Sequence, residues 1–163
     1  MGVEIERKFL VDAKRFEPPA SGMEIRQGWL ARDAERTVRV RLSRPVGPAS
    51  GEPQAFLTVK GPDGVVRSEF EYEIPTDDAL ELLDRLCLAG EIAKVRYEVP
   101  VAGRVFEVDV YSGRLEGLVT AEVELDDPDA PIELPEWVTR EVTGDPAWTN
   151  ARLSVAAEPP LEE

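Results

Sequence analysis

Two carboxylates and an ammonium stand at alternate positions at the head of the chain, in Met1-Gly-Val-Glu-Ile-Glu-Arg-Lys-Phe-Leu-Val11. In an extended strand successive side chains point to opposite faces, so Glu4, Glu6 and Lys8 share one face at a spacing of roughly 7 Å. Val3, Ile5, Phe9 and Val11 share the other, with Arg7 the exception. Hard divalent cations take oxygen ligands, and an ammonium beside them suits an anionic group held by the same cation. Alone, such a row is also what an ordinary half-solvated strand displays.

The spacing returns along the chain. Arg39 and Arg41 alternate with Val38, Val40 and Leu42, and Lys60 ends the run Ala55–Lys60. Arg67, Glu69, Glu71 and Glu73 alternate with Phe70, Tyr72 and Ile74, and Lys94 and Arg96 with Val95, Tyr97 and Val99. Glu107 and Asp109 stand against Phe106, Val108 and Val110, and Glu122 and Glu124 against Val119, Ala121, Val123 and Leu125. Solvent-facing strands normally mix Thr, Ser, Gln and Lys, whereas these faces are almost purely Glu, Asp, Arg and Lys. Their signs are sorted too. Facing a common lumen, they form an anion cradle beside a cation-binding wall. Buried charges of one sign need each other, water or a ligand, and a metal-complexed anion satisfies both walls. Polyphosphate with Mg²⁺ or Mn²⁺ is the chemical match.

Composition removes the alternatives. The chain has no histidine, so Ser-His-Asp and Cys-His catalysis and histidine-ligated zinc are excluded together. Its one cysteine, Cys87 between Leu86 and Leu88, reads as a packing residue and cannot form an internal disulfide. That agrees with a reducing cytoplasm, as does a charged start without an apolar signal core. No apolar run approaches the roughly 20 residues of a membrane span. A formal net charge of −14 speaks against a nucleic-acid backbone as partner.

The elements that must position these residues are mostly strands. Eight are expected: 1–11, 23–32, 37–43, 55–60, 65–74, 92–99, 105–111 and 118–125. Gly61-Pro-Asp-Gly64 reads as a hairpin connection, and residues 12–21 as one helical turn ended by Pro18-Pro19. One long helix is expected over Thr76–Gly90, capped by Thr76 or Asp77, with Leu80, Leu83 and Leu86 or Cys87 facing the apolar side of the strands. Gly90 would cap its C-terminus. Short helices are expected near Trp137–Val142 and Asn150–Val155. The fold class that follows is all-β dominated (α+β): an eight-stranded antiparallel barrel with flanking helices. One domain covers 1–155, and 156–163 reads as an acidic C-terminal tail.

Glu4-x-Glu6-x-Lys8, followed in order by Arg39-x-Arg41, Lys60, Arg67-x-Glu69-x-Glu71, Lys94-x-Arg96, Glu107-x-Asp109 and Glu122-x-Glu124, resembles the motif series of the CYTH, or triphosphate tunnel metalloenzyme, superfamily. The likeness runs from residue 3 to about 154, and small bacterial members of this kind are most similar to inorganic triphosphatases. It implies a tunnel that holds a triphosphate with divalent cations. By that resemblance Lys8, Arg39, Arg41, Lys60, Arg67, Lys94 and Arg96 would meet phosphate oxygens. Glu4, Glu6, Asp109, Glu122 and Glu124 would serve the metals, Mg²⁺ or Mn²⁺. Lys8, Glu69 and Glu71 would act in the chemistry, with Glu69, Glu71, Asp109 and Glu122 near a second metal and the attacking water. Arg26 is expected either in the lining or at its rim. The implied reaction is hydrolysis of tripolyphosphate to diphosphate and phosphate. Thiamine triphosphatase activity, a class IV adenylate cyclase-like reaction and a non-catalytic polyphosphate-binding module are the alternatives. No sequence feature reads an organic substituent on the substrate, and the oligomeric state, monomer or homodimer, stays open.

Overall fold

A computed structural model describes residues 5–49, 51–62 and 68–160. The strands are β1 (Ile5–Val11), β2 (Gly22–Arg32), β3 (Thr37–Val46), β4 (Gln54–Lys60), β5 (Glu69–Ile74), β6 (Ile92–Val101), β7 (Arg104–Tyr111), β8 (Val119–Leu125) and β9 (Val138–Glu141). Among the described residues two α-helices, α1 (Thr76–Arg85) and the short α2 (Asn150–Leu153), and single 3-10 turns at Gly113–Leu115 and Pro146–Trp148 complete the regular structure. All pairings are antiparallel, in the order β5-β4-β3-β2-β6-β7-β8-β1-β9. The β-dominated tunnel fold is therefore present, built from one strongly curled sheet.

Among the described residues the hydrogen-bonded ladder does not close as the expected barrel would. Its ends are β5 and β9, and β9 explains the difference at one of them. Val138–Glu141, expected as part of a helix, instead pairs with the outer edge of β1 through Phe9↔Glu141 and Leu10↔Arg140. Glu141 is held there by Arg7, whose Nε and Nη2 donate to its two carboxylate oxygens at 2.8 and 2.7 Å. Val138, Thr139 and Val142 favour extension, and Pro135 precedes the segment; a β-branched run overrides the helical reading. Curling shows in the packing instead: Leu10 of β1 and Trp29 of β2, separated in the sheet by β6, β7 and β8, meet in one apolar cluster.

The register puts the sorted charges on one face. Glu6 pairs with Glu124 and Lys8 with Glu122; Glu122 pairs with Glu107; Arg96 pairs with Asp109; Lys60 pairs with Glu69. Residues opposite one another in an antiparallel pair project to the same side. The other side carries the core. Phe9, Phe106, Val108, Ala121 and Val123 pack with Phe16 and Trp137 beneath the 12–16 turn. Val40 and Ala55 pack with Ala79 and Leu83 of α1.

Helix α1 is shorter than its sequence pattern. Pro75 precedes its first turn, no side chain caps it, and it ends at Arg85 rather than near Gly90. Leu80 and Leu86 are exposed, and Ala79, four residues before Leu83, takes the inner position. Cys87 does pack, against the same cluster as Leu83. Gly90 is needed for a different reason: at φ +107° it lies so close to Ser154 that an added Cβ would overlap the Ser154 carbonyl. Arg26 sits on the face opposite the lumen, where its guanidinium pairs with Glu91 and Asp84 under α1. Neither lining nor rim describes it. No helix of the described residues is long and apolar enough to cross a membrane.

Candidate active site

The concave face joins an acidic cleft to a basic wall. The cleft, with a volume of 310 Å³, is lined by Glu6, Glu98, Glu107, Glu122 and Glu124. Glu6 is pushed up to about 7 by loss of solvent around its carboxyl and then by the charge of Glu122, against the pull of Lys8. Glu107 is raised as well, by burial, with Arg96 opposing. Burial takes from Glu6 and Glu107 the water that favours their charged form, and the neighbouring carboxylates add to the effect.

The basic wall starts at Arg96. Its Nε and Nη2 donate to Asp109 at 2.8 and 2.9 Å, its Nη1 lies 2.9 Å from Glu107, and its Nη2 lies 3.9 Å from Glu122. Lys94 Nζ donates to Asp109 Oδ2 at 2.7 Å. Although burial disfavours its charge, Lys94 and Arg96 hold the Asp109 carboxyl down to about 2. Lys8 Nζ lies 3.2 Å from Glu122 Oε1 and donates to the Trp148 carbonyl at 2.8 Å.

Arg39 and Arg41 of β3 reach the same interior. Burial, then Arg39 and Arg96, bring the Arg41 guanidinium down to about 10, and burial lowers Arg39 as well. Arg39 Nη2 approaches Thr58 Oγ1 at 3.4 Å, and Thr58 donates to Glu71 at 2.9 Å. Lys60 Nζ lies 3.7 Å from Glu69. A second cavity of 290 Å³ lies beside Arg39, Thr58 and Lys60 and is bounded by Trp29, Thr149, Asn150 and Ala151. The residues before and within α2 thus wall off this part of the lumen, below the cluster of Leu10, Trp29, Tyr111, Trp148 and Leu153.

The fold therefore gathers Glu6, Lys8, Arg39, Arg41, Lys60, Glu69, Glu71, Lys94, Arg96, Asp109, Glu122 and Glu124 on one concave face. Glu4 and Arg67 lie outside the described residues. Asp109 has both oxygens engaged by Lys94 and Arg96. Among the described residues no three carboxylates converge tightly enough to hold a cation unaided. The donor set still suits one: it is oxygen only, and Glu6 carries an excess of negative surroundings.

Three participants escaped the sequence. Gln27 is fully buried on this face, and its Oε1 accepts from Arg41 Nε and Nη2 at 3.2 and 3.1 Å. Thr58 links Arg39 to Glu71, and the Trp148 carbonyl holds Lys8. Its place between Ile25 and Trp29, two residues from each and so on their face of the strand, was a signal for Gln27; a backbone carbonyl leaves none.

Residues 2–146 match the family described as CYTH domain. An inorganic triphosphatase of Acetivibrio thermocellus is 44% identical over 154 residues, covering 94% of each chain. One from Nitrosomonas europaea is 33% identical over 156 residues, covering 94% of this chain and 97% of its own. The crystal structure of the inorganic triphosphatase NE1496 superposes with a TM-score of 0.74 at 30% identity, covering 96% of this chain and 97% of the other.

Proposed function

This chain belongs to the CYTH domain family, and from that premise we propose that it is a metal-dependent triphosphatase that hydrolyses inorganic tripolyphosphate to diphosphate and phosphate. Two relatives similar over almost their whole length are named inorganic triphosphatases. The observation that carries the reading is Arg96, which touches Asp109 in the basic wall and Glu107 in the acidic cleft. A bound ligand spanning that side chain meets cations on one side and carboxylates on the other. Only an anion that brings its own cation suits both.

In this reading Lys8, Arg39, Arg41, Lys60, Lys94 and Arg96, with Arg67, bind phosphate oxygens. Arginine's planar fork fixes a phosphate in two directions, whereas lysine supplies a point charge. Glu6, Glu122 and Glu124, with Glu4, would hold Mg²⁺ or Mn²⁺, which when bound would supply neutralisation of charge on the phosphate chain. Asp109, saturated by two cations, orients Lys94 and Arg96 instead of serving the metal. Glu71, oriented by Thr58, and Glu69 position the water that attacks the terminal phosphorus. Holding nucleophile and phosphate in line while spreading the developing charge over fixed cations is what this transfer asks of a protein. A lone cysteine supports a cytoplasmic site of action, and the charge of −14 supports a partner other than nucleic acid.

The test is turnover of tripolyphosphate, thiamine triphosphate and ATP at matched Mg²⁺ or Mn²⁺. Tripolyphosphate is expected to be hydrolysed fastest. Preferred conversion of ATP to a cyclic product would overturn the assignment, and tight binding of tripolyphosphate without phosphate release would reduce the protein to a binding module.

A further inference from the structure

Gln27 lies in the middle of β2, fully buried, with its side chain on the charged concave face opposite Arg41. Its Oε1 accepts two hydrogen bonds from the Arg41 guanidinium. Reversing the amide would aim its NH₂ at those same donors, so Arg41 dictates which end is oxygen. The amide nitrogen Nε2 is then left with no partner, although it is shielded from solvent. On the neighbouring strand, Arg39 Nε is likewise buried and unpartnered. Buried donors without acceptors are uncommon and costly, and they signal a missing partner.

The missing partner must be an acceptor. Arg39 and Arg96 are the like charges that bear most on Arg41, and the carboxylates that oppose them, Asp109 and Glu71, already accept from Lys94, Arg96 and Thr58. An apolar or cationic occupant would leave both N–H groups unsatisfied, while a phosphate chain offers several unprotonated oxygens that can accept from each without adding a proton. Resting on the triphosphatase reading, we propose that Gln27 is a substrate-binding and positioning residue, which holds Arg41 through its carbonyl and donates from Nε2 to a phosphoryl oxygen of the bound triphosphate. A neutral amide is well matched to this double task. A carboxylate here would hold Arg41 more firmly but repel the anion, and a cation would repel Arg41.

The test uses the full chain and tripolyphosphate as the probe, measuring its Kd by calorimetry in chelator, together with KM and kcat with Mg²⁺ and the melting temperature without ligand. Gln27→Glu keeps the acceptor for Arg41 and removes the donor. It is expected to melt at or above the wild-type temperature while Kd and KM for tripolyphosphate rise at least tenfold. Gln27→Met keeps the length and loses both ends; its Kd also rises tenfold or more. A merely structural glutamine would lower stability and affinity together, or neither. Wild-type-like affinity, within twofold, in both variants would overturn the role of Gln27 while leaving the triphosphatase reading intact. A wild-type protein that neither binds nor cleaves tripolyphosphate overturns both.

Discussion

Lys94 Nζ stands 2.7 Å from Asp109 Oδ2 with the two side chains 0% and 1% exposed, so an ion pair is sealed into the wall of a water-accessible lumen. Arg96 completes the arrangement from the other oxygen at 2.8 Å. Desolvating three charged groups is expensive, and the geometry offsets it only while all are present. The pair therefore belongs to function and to stability at once, and its failure should be visible in both.

Asp109→Asn removes the charge that keeps Lys94 and Arg96 in place and leaves Lys94 buried without a counterion. A loss of about 3–5 kcal/mol in unfolding free energy is expected, the usual scale for breaking a buried pair. Urea denaturation checks it. The double variant Asp109→Leu with Lys94→Met should recover part of that loss and remain inactive.

Acid should act through Asp109 in a defined direction. Its folded value, about 2, lies below the ordinary 3.8, so the folded state holds the proton less firmly than the unfolded chain. The stability it contributes is fully present above the unfolded value and is lost as pH falls toward 2. Denaturation midpoints measured from pH 5 to pH 2 should decline more steeply in wild type than in the Asp109→Leu, Lys94→Met double variant.

Glu6 carries the opposite sign. Its value is raised from 4.5 to about 7, so the folded, metal-free protein binds this proton more tightly than the unfolded chain. Its contribution is present below about 4.5 and is lost as pH rises to about 7. Melting temperature in chelator should fall across that window, and Glu6→Gln should flatten the fall. Mg²⁺ must displace the proton, so its binding should release protons and weaken as pH drops below 7. Calorimetry in two buffers of different ionisation enthalpy measures the release.

The two walls should fail differently. Arg39→Ala and Arg41→Ala each remove charge-assisted hydrogen bonds of about 1.5–3 kcal/mol, a loss of roughly 10- to 150-fold in kcat/KM. Added metal should not restore it. Glu6→Gln and Glu124→Gln should recover partly as Mn²⁺ is raised, and Zn²⁺ should serve poorly in a site of oxygen donors. A metal titration of tripolyphosphate turnover separates the classes; identical responses of all four variants would show the sorting of walls to be wrong.

Gly90→Ala should undock the segment that closes the tunnel. The position combines φ +107° with direct approach of the Ser154 carbonyl, so an added methyl clashes with backbone. At a compatible site the same change stabilises by about 0.4–1 kcal/mol; here the positive φ and the clash reverse the sign, and the loss should be larger than that gain. Loss of activity at tripolyphosphate concentrations that saturate wild type, with α1 and the sheet still folded by circular dichroism, is the expected pattern.

Period-two alternation was enough to place Glu6, Lys8, Arg39, Arg41, Lys94, Arg96, Glu122 and Glu124 on one face, because side-chain direction in a strand is a local property of the backbone. Their unusual purity of charge identified the face as an interior, and the missing histidine narrowed its chemistry to carboxylate oxygens and the nitrogen cations of Lys and Arg. The local pattern also located α1, although not its end, since helix stops depend on what the chain meets next. Three features were decided by contacts between residues distant in the chain. β9 exists because β1 offers a free edge and Arg7 a counterion for Glu141, which outweigh a short segment's intrinsic preference. The face of β2 that turns inward is the one whose Gln27 meets Arg41, so its neighbour Arg26 points outward, where Glu91 and Asp84 pair with it. Gln27 became part of the site only when β3 brought Arg41 opposite it, for a neutral amide carries no charge pattern and its meaning depends wholly on which donor reaches its oxygen.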